Sequence, residues 1–349
     1  TAQVWLIERV RYGNRTYNLR DPLIGEQENL SMQTLQKYAT YLPARYSAYP
    51  RGYYVSLILL RKVEGEAIFR TEGSGEPLNR EFVHAGLADS TPVIPRVVIS
   101  KRKQTAVERR TGRELLRRTE LIGATAGINE GEPEPDSIDS MVYGYAVGTG
   151  GAQKSRVITD DAFTILPATQ VIGKRQFNAP FEDGTMRHPE TKAASTSIGT
   201  DEYVRPETHF VDIETLKDLT PGEFVYVLGN ILRTSRYGAI SSRVGKIQNQ
   251  VVACIFSDCE LFSNLELTQR VWDQLPKNGD APDFPLGDET VRHAVQTAIV
   301  ALQKQVVGRV IPMSESDLAA LLAEVQALYA DETAIQSLLT QVQSAYKSK

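Results

Sequence analysis

The chain changes character near residue 260, and that change restricts its fold class more than any other feature. Before it, apolar residues come in short β-branched or aromatic runs of strand length: Val4 to Val10, Tyr53 to Val63, Pro92 to Ser100, Arg156 to Leu166 and Ile247 to Phe256. After it they recur at helical spacing, as Val291, Ala294, Val295, Ala298, Ile299 and Leu302, then Leu318, Leu321, Leu322, Val325 and Leu328, then Ile335, Leu338, Leu339 and Val342. The pattern predicts an α+β chain with a helical subdomain appended to a β-rich body. One helix start is explicit inside the first part. Thr220-Pro221-Gly222-Glu223 supplies an N-cap, a first-turn proline and the reciprocal glutamate of a capping box, and Phe224, Val227, Leu228, Ile231 and Leu232 then share a face. Leu30 to Leu42 also has helical spacing.

Between these elements, Tyr12 to Gly25 and Thr125 to Asp136 read as loops. The two prolines in Pro92 to Ser100 predict an edge strand or extended arm. Pro167 to Glu207 is polar and too long for a plain loop in a compact domain, so it reads as an insertion forming a protruding hairpin. The best candidate for a membrane span, Val55 to Leu60, is one strand long, far short of the roughly 18 apolar residues needed. Two cysteines cannot build a disulfide framework and suit a reducing cytoplasm.

A net charge of −4 by itself argues against a polyanion ligand, but the charge is segregated. From Arg96 to Arg118 nine Lys/Arg stand against Glu108 and Glu114, and Arg233 to Lys246 holds four cations and no acid. A basic track on an acidic body is the footprint of polyanion binding; a solvated helix face that happens to be basic is the plainer explanation of either window alone. Arg109, Arg113 and Arg117 fall on one helical face, with Arg110 and Arg118 beside it and Lys101, Arg102 and Lys103 leading in. In the second window Gly238 and Gly245 would let a backbone approach a phosphate, Ser235, Ser241 and Ser242 could donate to it, and Arg236, Arg243 and Lys246 supply charge. No Gly-Lys-Ser/Thr ending is present, so this is not a Walker loop.

Signals for catalysis are poor. His84, His188, His209 and His293 show no metal-binding spacing, and no cofactor is expected. Cys254 and Cys259 form a single pair that would need His188 or His209 to hold zinc, and Cys254 reads more simply as a small core residue. Asp139, Asp160 and Asp161 read as capping acids.

Taken in order, an opening strand and a basic insertion lead to Asp139-Ser140-Met141-Val142-Tyr143-Gly144. Ser155-Arg156-Val157 follows with Asp160-Asp161-Ala162-Phe163, then a protrusion ending Arg205-Pro206-Glu207-Thr208-His209-Phe210, the capped helix and an Arg/Gly turn. That order resembles the backbone subunit of CRISPR effector complexes, the Cas-seven branch of the RAMP superfamily, and within it the type I-D (Csc-type) version. The resemblance covers most of residues 1 to 260. It implies an RRM-like (ferredoxin-like) β-α-β-β-α-β core over 1–260. A basic finger or lid would interrupt that core at 90–135 and a thumb-like insertion at 167–210, and a helical subdomain would follow at 261–349. It further implies guide RNA (crRNA) as ligand, copies of the chain stacked head to tail along it, hybridising target DNA, other effector subunits as partners, and no membrane. Lys101, Arg102, Lys103, Arg109, Arg110, Arg113 and Arg117 would grip RNA from the finger. Lys174 and Arg175 would do so from the thumb, and Arg236, Ser241, Arg243 and Lys246 from the guide track. A holder of any guide sequence needs phosphate contacts, hence steep salt dependence. Some relatives cut the target with an early acidic residue, for which Asp21 is the candidate here, although a lone Asp-Pro in a turn is more simply structural. A docking module for an acidic protein is the remaining alternative.

Overall fold

The computed structural model describes residues 9–12, 15–18, 32–69, 78–89, 92–128, 134–147, 151–178, 180–194, 198–240 and 243–347. Its strands are β1 (Arg9–Tyr12), β2 (Arg15–Asn18), β3 (Tyr54–Val63), β4 (Arg80–His84), β5 (Val93–Ile99), β6 (Tyr145–Val147), β7 (Gly151–Gln153), β8 (Val157–Thr159), β9 (Ala162–Thr164), β10 (Ile172–Asn178), β11 (Ile198–Val204), β12 (His209–Lys217), β13 (Arg236–Ile240), β14 (Arg243–Ser257) and β15 (Val310–Pro312). Its helices are α1 (Gln33–Gln36), α2 (Lys101–Arg118), α3 (Ile138–Tyr143), α4 (Ala168–Val171), α5 (Pro221–Arg233), α6 (Asn264–Gln274), α7 (Asp288–Gln303), α8 (Glu315–Ala330) and α9 (Glu332–Lys347). None of the described helices is long and apolar enough to cross a membrane.

The main sheet runs β13-β14-β3-β12-β9-β5-β4, with β8 also on β12 and β15 also on β14. Its pairings are antiparallel. Reduced to β3, α2, β8 with β9, β12, α5 and β14, it is a β-α-β-β-α-β unit with its strands in the spatial order fourth, first, third, second: the ferredoxin-like core. Side chains alternate across a strand. Leu57 and Leu59 therefore join Leu115 of α2, Phe224 and Leu228 of α5, Leu321 of α8 and Leu339 of α9 on one face. Ile58 and Leu60 join Leu267 of α6 and Val291 and Val295 of α7 on the other. Covering both faces is what makes β3 an almost unbroken apolar run.

Several expectations are revised. The basic segment 101–118 is α2, packed against α5 and β13, where a projecting finger or lid was anticipated. The helices after residue 261 do not stand apart. α6 and α7 cover one face, β15 extends the sheet beside β14, and α8 and α9 pack on the opposite face against α5. β5 lies between β4 and β9, not at an edge. Ala85 N donates to Pro92 O and Val98 N to Asn79 O, a phase that turns the missing N–H of Pro95 away from β4. The opening strand survives in the described residues as β1, paired only with β2, which itself lies in the anticipated loop. The helix anticipated over 30–42 shortens to α1 and a 3₁₀ turn: Met32 gives no side-chain cap, and Tyr38 turns to stack on Phe256 with centroids 5.0 Å apart. The segment 167–207 holds α4 and the antiparallel hairpin β10–β11.

The polar interior is organised by Arg61, fully buried on β3. It lies 2.7 Å from Asp212 and from Glu214 on β12 and 3.0 Å from Glu108 on α2, and donates to Tyr237 Oη (2.9 Å) on β13 and Asn249 Oδ1 (2.7 Å) on β14. Burial works against its charge, but the surrounding anions hold its pKa well above the usual value. Burial first, and the nearby Glu108 carboxylate second, push Glu214 well above the usual carboxylate range.

The β13–β14 hairpin is then seated by two glycines. Gly238 adopts φ +74°, and a Cβ there would stand 2.3 Å from the Ile68 carbonyl oxygen; a Cβ on Gly245 would stand 2.4 Å from Ala67 Cβ. Both spaces are filled by the protein's own 67–69 segment and are not open to a phosphate. Gly245→Ala should overpack this seam and cost about 1–3 kcal/mol in denaturant unfolding, with the midpoint lowered. For Glu214, the raised folded-state value means its contribution is complete below its ordinary range and is lost as pH rises through the raised value. Glu214→Gln should match the wild type near pH 5 and become progressively the more stable as pH rises to 9, by up to about 1.4 kcal/mol per pH unit. Parallel stability curves for the two proteins would contradict this.

Candidate nucleic-acid interface

At the C-terminal end of β3 the chain turns through residues 64–69, where three elements meet. Glu64 N and Gly65 N donate to Lys246 O on β14 (2.8 and 3.1 Å), and Ala67 pairs with Val204 at the end of β11. The hairpin root and the β10–β11 root are thus stitched to the same turn. Their cations come with them. Lys246 Nζ lies 3.2 Å from Glu64 and Lys174 Nζ 3.5 Å from Glu202, while Arg175 pairs with Glu66 and Arg80 with Glu202. Arg236 stands opposite Lys246 in the strand register and is exposed. Five cations face three carboxylates here, and Lys174, Arg175 and Lys246 remain 71%, 62% and 52% exposed. Exposed ion pairs of this kind contribute only about 0–1 kcal/mol, so a phosphate can replace the carboxylate at small cost.

The cations of α2 divide differently. Arg109 makes a two-pronged contact with Asp139 of α3 (2.9 and 2.8 Å), and Arg113 reaches the same buried carboxylate at 2.5 Å while its other arm bonds the Ala126 carbonyl. Arg117 Nη2 also donates to Ala126 O (3.0 Å). Of the face predicted to offer guanidinium groups to a polyanion, Arg109 and Arg113 therefore turn toward α3 and the 126 loop, while Arg117 stays exposed. The opposite flank of α2 meets the hairpin: Thr111 and Thr234 hydroxyls lie 2.9 Å apart, and Tyr237 Oη donates to Glu108 (2.7 Å). Between the two flanks, Lys103, Arg110 and Arg117 line the outward surface at seven-residue spacing, with Lys101 and Arg102 exposed in the first turn. Arg96, part of the same basic window, is wholly internal. It donates to the carbonyls of Thr164, Ile165 and Ala85, lies over Trp272, and is pushed down to about 9 by burial.

Ser241 and Asp21 lie outside the described residues, and Arg243 is described only as the backbone partner of Ile240. Cys254 is buried in β14, where burial raises its thiol far above the usual range, and Cys259 lies beyond the strand end beside Asp258. The histidines considered beside them are engaged elsewhere. His209 Nε2 bonds Asp288 Oδ1 at 2.9 Å, and His188 Nδ1 accepts the backbone N–H of Glu190 and Thr191. Among the described residues no three His, Cys, Asp or Glu side chains gather as a ligand set. Sequence reasoning missed Arg80 and the acidic turn residues Glu64 and Glu66; their only signal is that they flank strands.

The motif residues prove to be internal anchors. Besides Asp139, Arg156 binds Glu223 (Nη1–Oε2 2.8 Å) at the capping box of α5 and donates to the carbonyls of Met141 and Asp218. The crystal structure of Thermofilum pendens Csc2 superposes with a TM-score of 0.57 at 17% identity, covering 89% of this chain and 94% of that one. A chain of a CRISPR RNA-guided surveillance complex matches with a TM-score of 0.47 at 11% identity, covering 79% of this chain and 98% of that one. No curated protein matches the sequence. The Csc2 CRISPR family model matches residues 38–339. With most of its length matched, the chain belongs to the Csc2 CRISPR family.

Proposed function

We propose that this chain is a non-catalytic backbone subunit of a CRISPR surveillance complex of type I-D, holding guide RNA by its phosphates and stacking head to tail with copies of itself. Target DNA would then hybridise to the exposed bases, beside the other effector subunits. The observation that carries this reading is the convergence of Arg80, Lys174, Arg175, Arg236 and Lys246 around the 64–69 turn. Residues up to 166 positions apart in the chain could not form one basic surface without the ferredoxin-like register. The geometry suits phosphate and sugar contacts, which bind without reading bases. The β10–β11 hairpin, rooted in the same turn, supplies the thumb. Lys101, Arg102, Lys103 and Arg110 lie on the outward surface of α2 and can add to the basic surface, whereas Arg109 and Arg113 serve the fold.

Replacing Arg175 and Lys246 together by Gln should weaken guide RNA binding and reduce the slope of log K against log salt by about 1.4, since each phosphate contact on a single strand contributes about 0.7. Arg113→Ala should instead lower thermal stability and leave the salt slope unchanged, because it removes one of the two guanidinium partners of the buried Asp139 carboxylate. An unchanged slope in the Arg175/Lys246 variant would refute the assignment.

A further inference from the structure

A second feature lies at the other end of β3 and plays no part in the surface just described. Residues 38–54 hold six of the chain's 15 tyrosines, and no Asp or Glu occurs between Glu28 and Glu64. Four of the six rings are engaged. Tyr38 stacks on Phe256, Arg309 lies over Tyr41, Arg156 over Tyr46 and Lys217 over Tyr54. Tyr49 is different: it is 82% exposed, and its ring has no partner among the described residues.

The loop that displays it is nevertheless rigidly held. The Asp218 carboxylate accepts the backbone N–H of Arg51 (3.1 Å) and of Tyr53 (2.9 Å), and Asp218 N donates to Tyr53 O (2.7 Å). Asp218 makes these bonds from a left-handed conformation, φ 55°, which a non-glycine residue keeps only when its surroundings enforce it. Its carbonyl is fixed in turn by Arg156 (2.9 Å). Pro50 fixes a backbone angle beside Tyr49, and the Ser47 hydroxyl bonds both the N–H and the carbonyl of Tyr49. A strained clamp that holds an aromatic ring out in water costs stability and returns nothing to the core.

We propose that Tyr49, flanked by the exposed Arg45 and Arg51, is a stacking site for an unpaired base of a second nucleic-acid strand, separate from the guide track. The inference rests on the guide-holding reading for the existence of a first track. An aromatic face beside guanidinium groups binds any base, because every base has a π-face and its phosphates meet the arginines. A protein partner fits less well: the ring is bordered in the chain by Ala48 and Pro50, which add little apolar surface beside it. The two sites lie at opposite ends of a ten-residue strand, about 30 Å apart, too far for one nucleotide to serve both.

The test uses guide-loaded protein and fluorescein-labelled oligothymidylate that cannot pair with the guide. Tyr49→Ala should weaken oligothymidylate binding by roughly 5- to 100-fold, the range for one lost base stack, while Tyr49→Phe binds as the wild type does and both retain guide. Arg45→Gln with Arg51→Gln should flatten the salt dependence of the same binding. Wild-type affinity in Tyr49→Ala would overturn the proposal, as would oligothymidylate binding that disappears together with the guide in the Arg175/Lys246 variant. Wild-type protein that binds no oligothymidylate would also overturn it and leave the ring to a protein partner. If the wild type retains no guide yet binds oligothymidylate through Tyr49, the guide reading fails and the stacking site stands.

Discussion

A guanidinium with no exposed surface dictates much of this molecule. Arg61 can be buried only because Asp212, Glu214 and Glu108 surround it, and those groups come from β12 and α2. Three carboxylates crowded around one cation repel one another, and burial with that repulsion pushes Glu214 well above the usual carboxylate range. Tyr237 and Asn249 complete the arrangement and bring in β13 and β14. One side chain thus fixes the relative placement of two core strands, the first crossover helix and the hairpin that carries Arg236 and Lys246. A buried ion cluster of this kind adds little net stability, but removing one partner is costly because the others are left uncompensated. Here its consequence is register: the basic hairpin is held against the 64–69 turn, and the β10–β11 hairpin is rooted beside it.

Above that rigid base, the exposed layer is deliberately weak. Lys174, Arg175 and Lys246 are paired with carboxylates that still touch water, so the resting surface is neither fully neutralised nor strongly committed. A polyanion gains from displacing several such pairs at once, while an isolated anion gains little. Acidic residues elsewhere on a chain of net charge −4 discourage indiscriminate adhesion. At the far end of β3 the Asp218 clamp repeats the pattern of a rigid base beneath an exposed side chain, with an aromatic ring in place of cations.

Local signals made part of this legible. Thr220-Pro221-Gly222-Glu223 is read from four adjacent residues, and α5 starts there with its capping box formed. The ferredoxin-like core was implied by the family resemblance, and the hairpin in 167–207 by a polar segment too long for a plain loop. What stayed hidden depends on partners distant in the chain. A cationic helix face looks the same whether it meets phosphate or Asp139, and Arg109 and Arg113 meet Asp139 from 30 and 26 positions away. Glycines in a basic turn look like phosphate seats until Ala67 and Ile68 are seen filling the space. Arg61 left a trace that went unread, a lone cation continuing the apolar run of β3 beyond Leu60, where only a buried counter-charge makes sense. Arg236 and Lys246 were singled out from charge, and Lys174 and Arg175 from the family resemblance, whereas their common meeting point at residues 64–69 was not.

The most direct measurement is photocrosslinking of guide RNA carrying 4-thiouridine to the intact protein, with the attached peptides identified by mass spectrometry. The account predicts crosslinks clustered in the peptides spanning 64–69, 172–178 and 236–247. Crosslinks confined to the α3-facing flank of α2 around Arg109 and Arg113, with none at the turn that joins the two hairpins, would contradict it.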